Sequence, residues 1–406
     1  MNILLVNHYA GSQELGMEFR PYHLAKEWVK AGHKVLIVGG TYSHLRKKQP
    51  KAGCETIDGV AYRWLRTPRY HSNGVMRFLS MLCFTAQLFL HFRAWRRFKP
   101  DAVIASSTYT LDNWPCHRIA KRHHAKYIYE IHDLWPLSPM ELGGMSAKHP
   151  FIRLMQWGED YAYRHADKVV SILPCVHEHV KAHGLPLEKL ALVPNGVGME
   201  NWLPAHREEL PEEHRALLEK LRGEKRLLVG FAGAHGIANA LKPFIDAMRL
   251  LPSGQVAFVL VGTGLEKENL KTYVHGENIP QVFFLPPVSQ KAIPALLSRF
   301  DLLYVGLQKQ RLFRFGISPN KIFDYMMAAK PIIMAIEAGN DIVAEAGCGW
   351  RVEPENPAAI AQAIQAAMAC DPAHLARLGA NGHRYVCRHH TFNILAADFI
   401  QAIETA

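Results

Sequence analysis

The chain has 406 residues, 49% of them hydrophobic and 20% charged, a net charge of +11 and seven cysteines. That length suits two domains of roughly 150–200 residues, each with a sizeable core, and the composition excludes fibrous, low-complexity and disulfide-scaffold classes. The cysteines (Cys54, Cys83, Cys116, Cys175, Cys348, Cys370 and Cys387) are odd in number and lack C-x-x-C spacing, which argues against a disulfide framework or a zinc site and for a reducing cytoplasm.

The N-terminal "MNILLVNHYAG" runs directly into an apolar strand pattern, without the basic start and long apolar run of a secretory signal. A helix from about Glu18 to Ala31, closed by Gly32, and then "KVLIVGG" complete a β-α-β unit. The alternation continues through "DAVIASS" (101–107), a helix around Cys116 to His124, "KYIYEIHD" (126–133), "KVVSIL" (168–173) and "LALVPNG" (190–196). Apolar strands separated by helices imply a parallel sheet covered on both faces.

From Trp202 to Lys225 the chain turns into a charged, helix-favouring connector, the expected domain boundary. A second series follows: "RLLVGFAG", a helix over 241–251, "VAFVLVGTG", "VFFLPPV", a helix over 290–298, "LLYVGL", the stretch "RFGISPNKIFDYMMAAK" and "PIIMAI". Beyond Pro357 the pattern is helical. The expected domains are 1–200 and 205–387, with a C-terminal helix of about 388–406 packing back on the first. Two doubly wound α/β domains place the carboxyl ends of their strands at one cleft, where such folds bind ligands.

Residues 1–100 hold 16 Lys and Arg against 5 Asp and Glu, while the remainder is balanced at 31 of each. All the net charge therefore lies in the first quarter, where nucleic acid or an anionic membrane could answer it. Within it, 78–92 carry no Asp, Glu, Lys or Arg, and Arg93, Arg96, Arg97 and Lys99 follow. Fifteen such residues are fewer than the ~20 that span a bilayer. The segment reads either as a buried helix or as one resting on a membrane interface, with Phe84, Leu88 and Phe92 as apolar anchors. No RNA- or DNA-binding motif accompanies the charge, so no nucleic-acid partner is expected.

Several loops have ligand-binding character. In "RFGISPNKIFDYM" Ser318 is a good N-cap, Pro319 suits the first helical position, and Asp324 lies early in a helix predicted over 321–329. Such an N-terminus offers amides to a phosphate, and Lys321 adds a positive charge. Gly233 to Gly236 ("GAHG") and Gly262 to Gly264 ("GTG") sit at strand ends; none of these is a G-x-G-x-x-G fingerprint, which weighs against a nicotinamide dehydrogenase. In the first domain Glu130, His132 and Asp133 end a strand, either as a capping pair or as a tuned acid–base group. No metal-ligand spacing links the other histidines to carboxylates, and there is no D-x-D triplet for a metal on a diphosphate.

"GHKVLIVGG", "FKPDAVIASS", "EIHDLWPLSP", "YRHADKVVSI", "LVPNGV", "GFAGAHGIANAL", "LVGTG" and "GISPNKIFDYM", in that order, resemble the GT-B glycosyltransferases over nearly the whole chain, and within them the retaining family 4 enzymes. The details look most like the bacterial branch of N-acetylfucosamine and other amino-sugar transferases of surface-polysaccharide assembly. The resemblance implies two Rossmann-like domains facing a cleft, the first binding acceptor and the second donor. It makes His132 a contact to the transferred sugar or a proton shuttle, with Asp133 orienting it, and Lys321 a catalytic charge on the leaving diphosphate. The donor contacts it implies are Gly233, His235, Gly236, Asn239, Gly262, Gly264, Val288, Gly316, Ile317, Ser318, Asn320, Lys321 and Asp324, the last on ribose; on the acceptor side they are Gly11, Gly16 and Glu130. The family's first motif glutamate falls on Gly316, and its loop Arg and Lys fall on Ala234 and Asn239, leaving the diphosphate to Lys321 with Arg314 as a helper.

The expected activity is retaining transfer of an N-acetylated amino or deoxyamino sugar from a UDP-sugar to a glycan, plausibly linked to polyprenyl diphosphate, without a metal or other cofactor. The expected location is the cytoplasm, peripheral on the inner face of the membrane. A sugar-nucleotide epimerase and a catalytically inactive scaffold on the same fold are the alternatives.

Overall fold

The computed structural model describes residues 1–16, 19–71 and 73–406. The chain forms two compact units. Unit 1 comprises Met1–Asn195, Phe315–Ser318 and Phe392–Ala406, and unit 2 comprises Gly196–Arg314 and Pro319–Thr391. The chain thus enters unit 2 at Gly196, ahead of the charged connector, whose helix Glu212–Gly223 belongs to unit 2.

Unit 1 is built on eight strands: β1 Asn2–Val6, β2 Lys34–Gly40, β3 Gly53–Ile57, β4 Val60–Leu65, β5 Ala102–Ala105, β6 Lys126–Ile131, β7 Lys168–Ser171 and β8 Leu190–Leu192. They lie in the order β3-β4-β2-β1-β5-β6-β7-β8, parallel except for β3. Successive residues face opposite sides of a strand. Ile3 and Leu5 of β1 accordingly join Ile37, Ile104 and Val170 under Leu24, Ala25 and Trp28 of the helix Phe19–Lys30. Leu4 and Val6 join Val38, Val103 and Val169 under Phe84, Leu88, Trp95 and Ile119. The C-terminal helix Phe392–Glu404 completes the first face through Phe392, Leu395 and Phe399, and the Trp28 indole donates to Ala396 O at 3.0 Å.

Unit 2 carries six parallel strands: β9 Leu227–Ala232, β10 Val256–Val261, β11 Val282–Leu285, β12 Leu302–Gly306, β13 Ile332–Ala335 and β14 Gly349–Val352, ordered β11-β10-β9-β12-β13-β14. β10 is fully buried, as a strand covered on both faces must be. Both units are therefore Rossmann-like, as the alternation implies.

Four features differ from the sequence reading. The antiparallel hairpin β3–β4, turned at Asp58-Gly59 with φ of +48° and +82°, and the edge strand β14 are additional strands. The helix after "GISP" spans Asn320–Met327, and Ser318 does not cap it: its Oγ accepts from Asn195 N at 2.8 Å. The apolar segment is a helix Val75–Leu90 and a second, Phe92–Phe98, meeting at a 59° bend; among the described residues no single helix is long and apolar enough to cross a membrane. Phe84 and Leu88 are buried in the core and cannot act as anchors, whereas Val75, Leu79, Leu82, Phe89, Leu90 and Phe92 are exposed. The expected helix start at Glu18 lies outside the described residues.

Candidate active site

In unit 2 the strand order reverses direction between β9 and β12, a switch point at which the loops after neighbouring strands diverge. The loop after β9 holds Gly233 to Asn239 and that after β10 holds Gly262 to Gly264. They are laced together: Gly233 N donates to Val261 O at 3.0 Å, His235 N to Thr263 O at 2.9 Å and Glu266 N to His235 O at 2.9 Å. A Cβ on Gly262 would stand 1.9 Å from Gly233 O, and one on Gly264 2.3 Å from His235 O. Those two glycines are needed for loop against loop. Gly236, by contrast, has open space where a Cβ would be.

Lys321, one residue into the helix Asn320–Met327, reaches this loop. Its Nζ donates to Asn239 Oδ1 at 2.6 Å and lies 4.4 Å from the centre of the Phe231 ring. Asn239 is held in turn by donating from Nδ2 to Ala234 O at 2.9 Å. Burial lowers the Lys321 ammonium to about 8. Among the described residues it has no carboxylate partner. His235 is buried with neither ring nitrogen hydrogen-bonded, and burial, helped by Lys267 and Lys321, lowers it to about 4 and keeps it neutral. Lys267 itself is tied to Gly262 O at 2.7 Å and Leu285 O at 2.8 Å. Among the described residues these loops thus hold one ammonium without a carboxylate and one buried, unpaired imidazole.

Asp324, one helical turn beyond Lys321, is half-buried. Burial raises its carboxyl to about 7, opposed by a hydrogen bond from the Trp202 side chain. Val288 lies in the loop after β11, Asn320 and Arg314 are exposed, and Arg314 donates to Arg311 O at 2.7 Å. Gly316, Ile317 and Ser318 group with unit 1, where Gly316 has φ +86° and Ser318 accepts through Oγ and O from Asn195.

In unit 1, Glu130 of β6 is buried and satisfied on both oxygens. Arg20 Nε donates to Oε1 at 2.9 Å, Ser106 Oγ donates to Oε2 at 2.6 Å, and His132 Nε2 lies 3.0 Å from Oε2. Burial pushes this carboxyl upward, but the charges of His132 and Arg20 with their hydrogen bonds outweigh it and hold the group well below the usual carboxylate range. Arg20 also donates to Pro194 O at 2.6 Å and Val193 O at 2.7 Å. The carboxylate that orients His132 is therefore Glu130. Asp133 instead accepts from Leu134 N at 2.9 Å and from the Ser138 hydroxyl, and burial raises it. His132 Nε2 also faces Ser106 Oγ at 2.9 Å, so the ring is oriented from that side by Glu130 and Ser106. Gly11 O accepts from Tyr62 OH at 2.9 Å, and Gly16, φ +85°, closes a turn by donating to Ser12 O at 2.9 Å.

Arg20, Ser106, Asn195 and Trp202 are additions that the sequence reading lacks. Arg20 shares the buried face of its helix with His23 and carries no distinctive local signal, and the other three have none either.

Residues 16–196 match the glycosyl transferase 4-like domain family, and residues 226–370 match the glycosyl transferases group 1 family. The chain is similar to the probable glycosyltransferase WbjE of Pseudomonas aeruginosa, 23% identical over 244 residues, which are 59% of this chain and 59% of that protein. It is also similar to WcaI of Escherichia coli K12, a putative colanic acid biosynthesis glycosyl transferase, 25% identical over 364 residues, 84% of this chain and 86% of that protein. Among solved structures, HepE of Anabaena in complex with UDP and glucose superposes over the whole of both chains with a TM-score of 0.69 at 16% identity. WaaG, a glycosyltransferase involved in lipopolysaccharide biosynthesis, covers 99% of both chains with a TM-score of 0.68 at 14% identity.

Proposed function

We propose that the chain, whose two parts match glycosyl transferase domain families and whose fold is that of GT-B glycosyltransferases, moves a sugar from a UDP-sugar to a glycan acceptor in polysaccharide biosynthesis. The observation that carries the donor assignment is Lys321, a buried ammonium without a carboxylate, beside the unpaired His235 and the open backbone at Gly236. A buried charge is costly unless it is paired, so this wall favours an anion, and a diphosphate supplies one. Uridine ribose hydroxyls suit Asp324 in exchange for Trp202. The relatives fit: HepE binds UDP, and WcaI is named for colanic acid synthesis.

In the reaction the acceptor oxygen bonds to the anomeric carbon as the bond to the diphosphate breaks, and negative charge grows on the leaving oxygen. Lys321 stabilises that charge most in the transition state, which makes a metal unnecessary. The acceptor approaches from the leaving-group face, so configuration is retained. The departing diphosphate oxygen takes the acceptor proton, and His132, oriented by Glu130, contacts the transferred sugar. An N-acetylated amino sugar is the preferred donor in this reading. Release of UDP should require acceptor; UDP-sugar turnover without any acceptor would favour an epimerase, and no UDP binding at all would favour a scaffold.

The acceptor is lipid-linked in the same reading, and unit 1 rests on the membrane's cytoplasmic face. Exposed Val75, Leu79, Leu82, Phe89 and Leu90 adjoin exposed Arg93, Arg96, Arg97 and Lys99 on the bent helix pair, an apolar surface rimmed by cations. Each cation contributes about 1 kcal/mol at an anionic surface. Replacing all four by Gln should abolish co-sedimentation with anionic vesicles at low salt while leaving UDP affinity intact; a variant that pellets like wild type contradicts the docking.

A further inference from the structure

Unit 1 contains a cluster that the transfer chemistry does not use. Glu159 lies on the helix Pro150–His165, and His179 and His183 stand one turn apart at the helix His177–Ala182 and its C-cap. Residues four apart share a helix face, the spacing by which paired imidazoles take a metal. Glu159 Oε1 is 3.0 Å from His179 Nε2, the two rings are 4.6 Å apart, and one ligand atom from each of the three residues lies within 4.8 Å of the others. Around zinc, neighbouring N and O ligands stand about 3.4 Å apart in tetrahedral geometry, so side-chain rotations of about 1 Å close the set.

The surroundings are those of a built site. The Glu159 side chain is only 1% exposed, yet among the described residues no Lys or Arg neutralises it. Its other partners are neutral donors, Tyr163 OH at 2.9 Å and Gln156 Nε2 at 2.8 Å. With the His179 imidazole as its one candidate counter-charge among the described residues, this buried carboxylate favours a cation. Asp160 Oδ1 sits 3.0 Å from His183 Nδ1, the carboxylate–histidine pairing that fixes a metal-binding ring, and Gln156 donates to the same Asp160 oxygen at 2.8 Å. His183 is 30% exposed, which leaves an entry path. Two imidazoles and a carboxylate suit zinc rather than calcium or magnesium.

We propose that Glu159, His179 and His183 bind a divalent transition metal of the zinc class, and that its occupancy stiffens the segment Phe315–Ser318. The His179 ring meets Phe315 edge-on at 5.4 Å, and Cys175 N donates to Phe315 O at 2.9 Å. Fixing His179 to a metal therefore fixes a wall of the Phe315 seat, immediately before Gly316. This is a structural and regulatory site, separate from the diphosphate chemistry.

The test uses the full chain, stripped with chelator and kept reduced, and titrated with Co2+ while visible absorption reports the ligand field. One equivalent should bind with d–d bands and be displaced by Zn2+. His183→Ala should weaken Co2+ at least tenfold and Asp160→Asn about 10–100-fold, whereas His177→Ala, exposed on the same helix, should not. Glu159→Gln keeps the shape of the buried side chain and should abolish the signal. Absence of a one-equivalent signal, or a signal unchanged in both His183→Ala and Glu159→Gln, would overturn the site. Zn2+ should also slow hydrogen exchange at the Cys175 amide; unchanged exchange would overturn the coupling to Phe315. No nucleotide enters either measurement, so these results stand apart from the UDP-sugar assignment.

Discussion

The polar groups at the strand ends of the two units are treated in opposite ways. In unit 1, Glu130 is buried with both oxygens bonded to Arg20, Ser106 and His132, so the geometry of His132 is held by the protein alone. In unit 2, among the described residues, Lys321 rests on a neutral amide, His235 has no hydrogen-bond partner on either ring nitrogen, and the Asp324 carboxyl is hydrogen-bonded by the Trp202 side chain. Burial there disfavours the charged form of both Lys321 and Asp324. The first region is internally satisfied, and the second leaves bonding capacity unused, which is what the proposed donor site requires.

The sharpest way to break this contrast is Arg20→Ala. Removing one partner of a buried ion pair costs about 3–5 kcal/mol, so the variant should melt at a markedly lower temperature and lose turnover. UDP affinity should be unchanged, because the proposed donor site lies in unit 2 and Arg20 in unit 1. A loss under about 1 kcal/mol would mean that Glu130 is held by other means.

A smaller effect is expected from pH. With Lys321 at about 8, donor affinity should fall as pH rises through that value and the ammonium loses its proton. The stability linkage has the opposite sign: the folded pKa lies below the ordinary 10.5, so the cost of the buried charge is fully present below 8 and is relieved as pH rises from 8 towards 10.5. Asp324 behaves as a raised acid, its stabilising proton present below the ordinary 3.8 and lost as pH rises through about 7. Lys321→Arg, which stays protonated, should erase the alkaline limb of UDP binding. A flat wild-type profile between pH 7 and 9 would contradict the assignment.

The same contrast explains what was legible in the sequence. Long apolar strands such as "VAFVLV" and glycines at strand ends carry strong local signals, and they mark the β9 and β10 loops well. The hairpin at Asp58-Gly59 was legible too, since that dipeptide between alternating runs is a strong turn signal, but the exposed β3 lacked the apolar run that marks the other strands. Arg20 and Glu130 are 110 residues apart, and it is the strand order β1-β5-β6, which local sequence does not show, that brings them together. The resemblance made Asp133 the orienter of His132; in a strand adjacent residues point to opposite faces, and Glu130, two positions before His132, shares its side. Ser318 looked like a cap by residue type, but the Asn195 amide takes its oxygen.

Calorimetric titration with UDP and with uridine, on wild type and on Lys321→Met, tests most directly whether the unit 2 pocket is reserved for a diphosphate. A charge-assisted contact contributes about 1.5–3 kcal/mol, so wild type should bind UDP at least tenfold more tightly than uridine, and the variant should lose most of that gap while keeping its uridine affinity. Equal affinities for UDP and uridine in wild type, or an undiminished gap in Lys321→Met, would contradict the assignment.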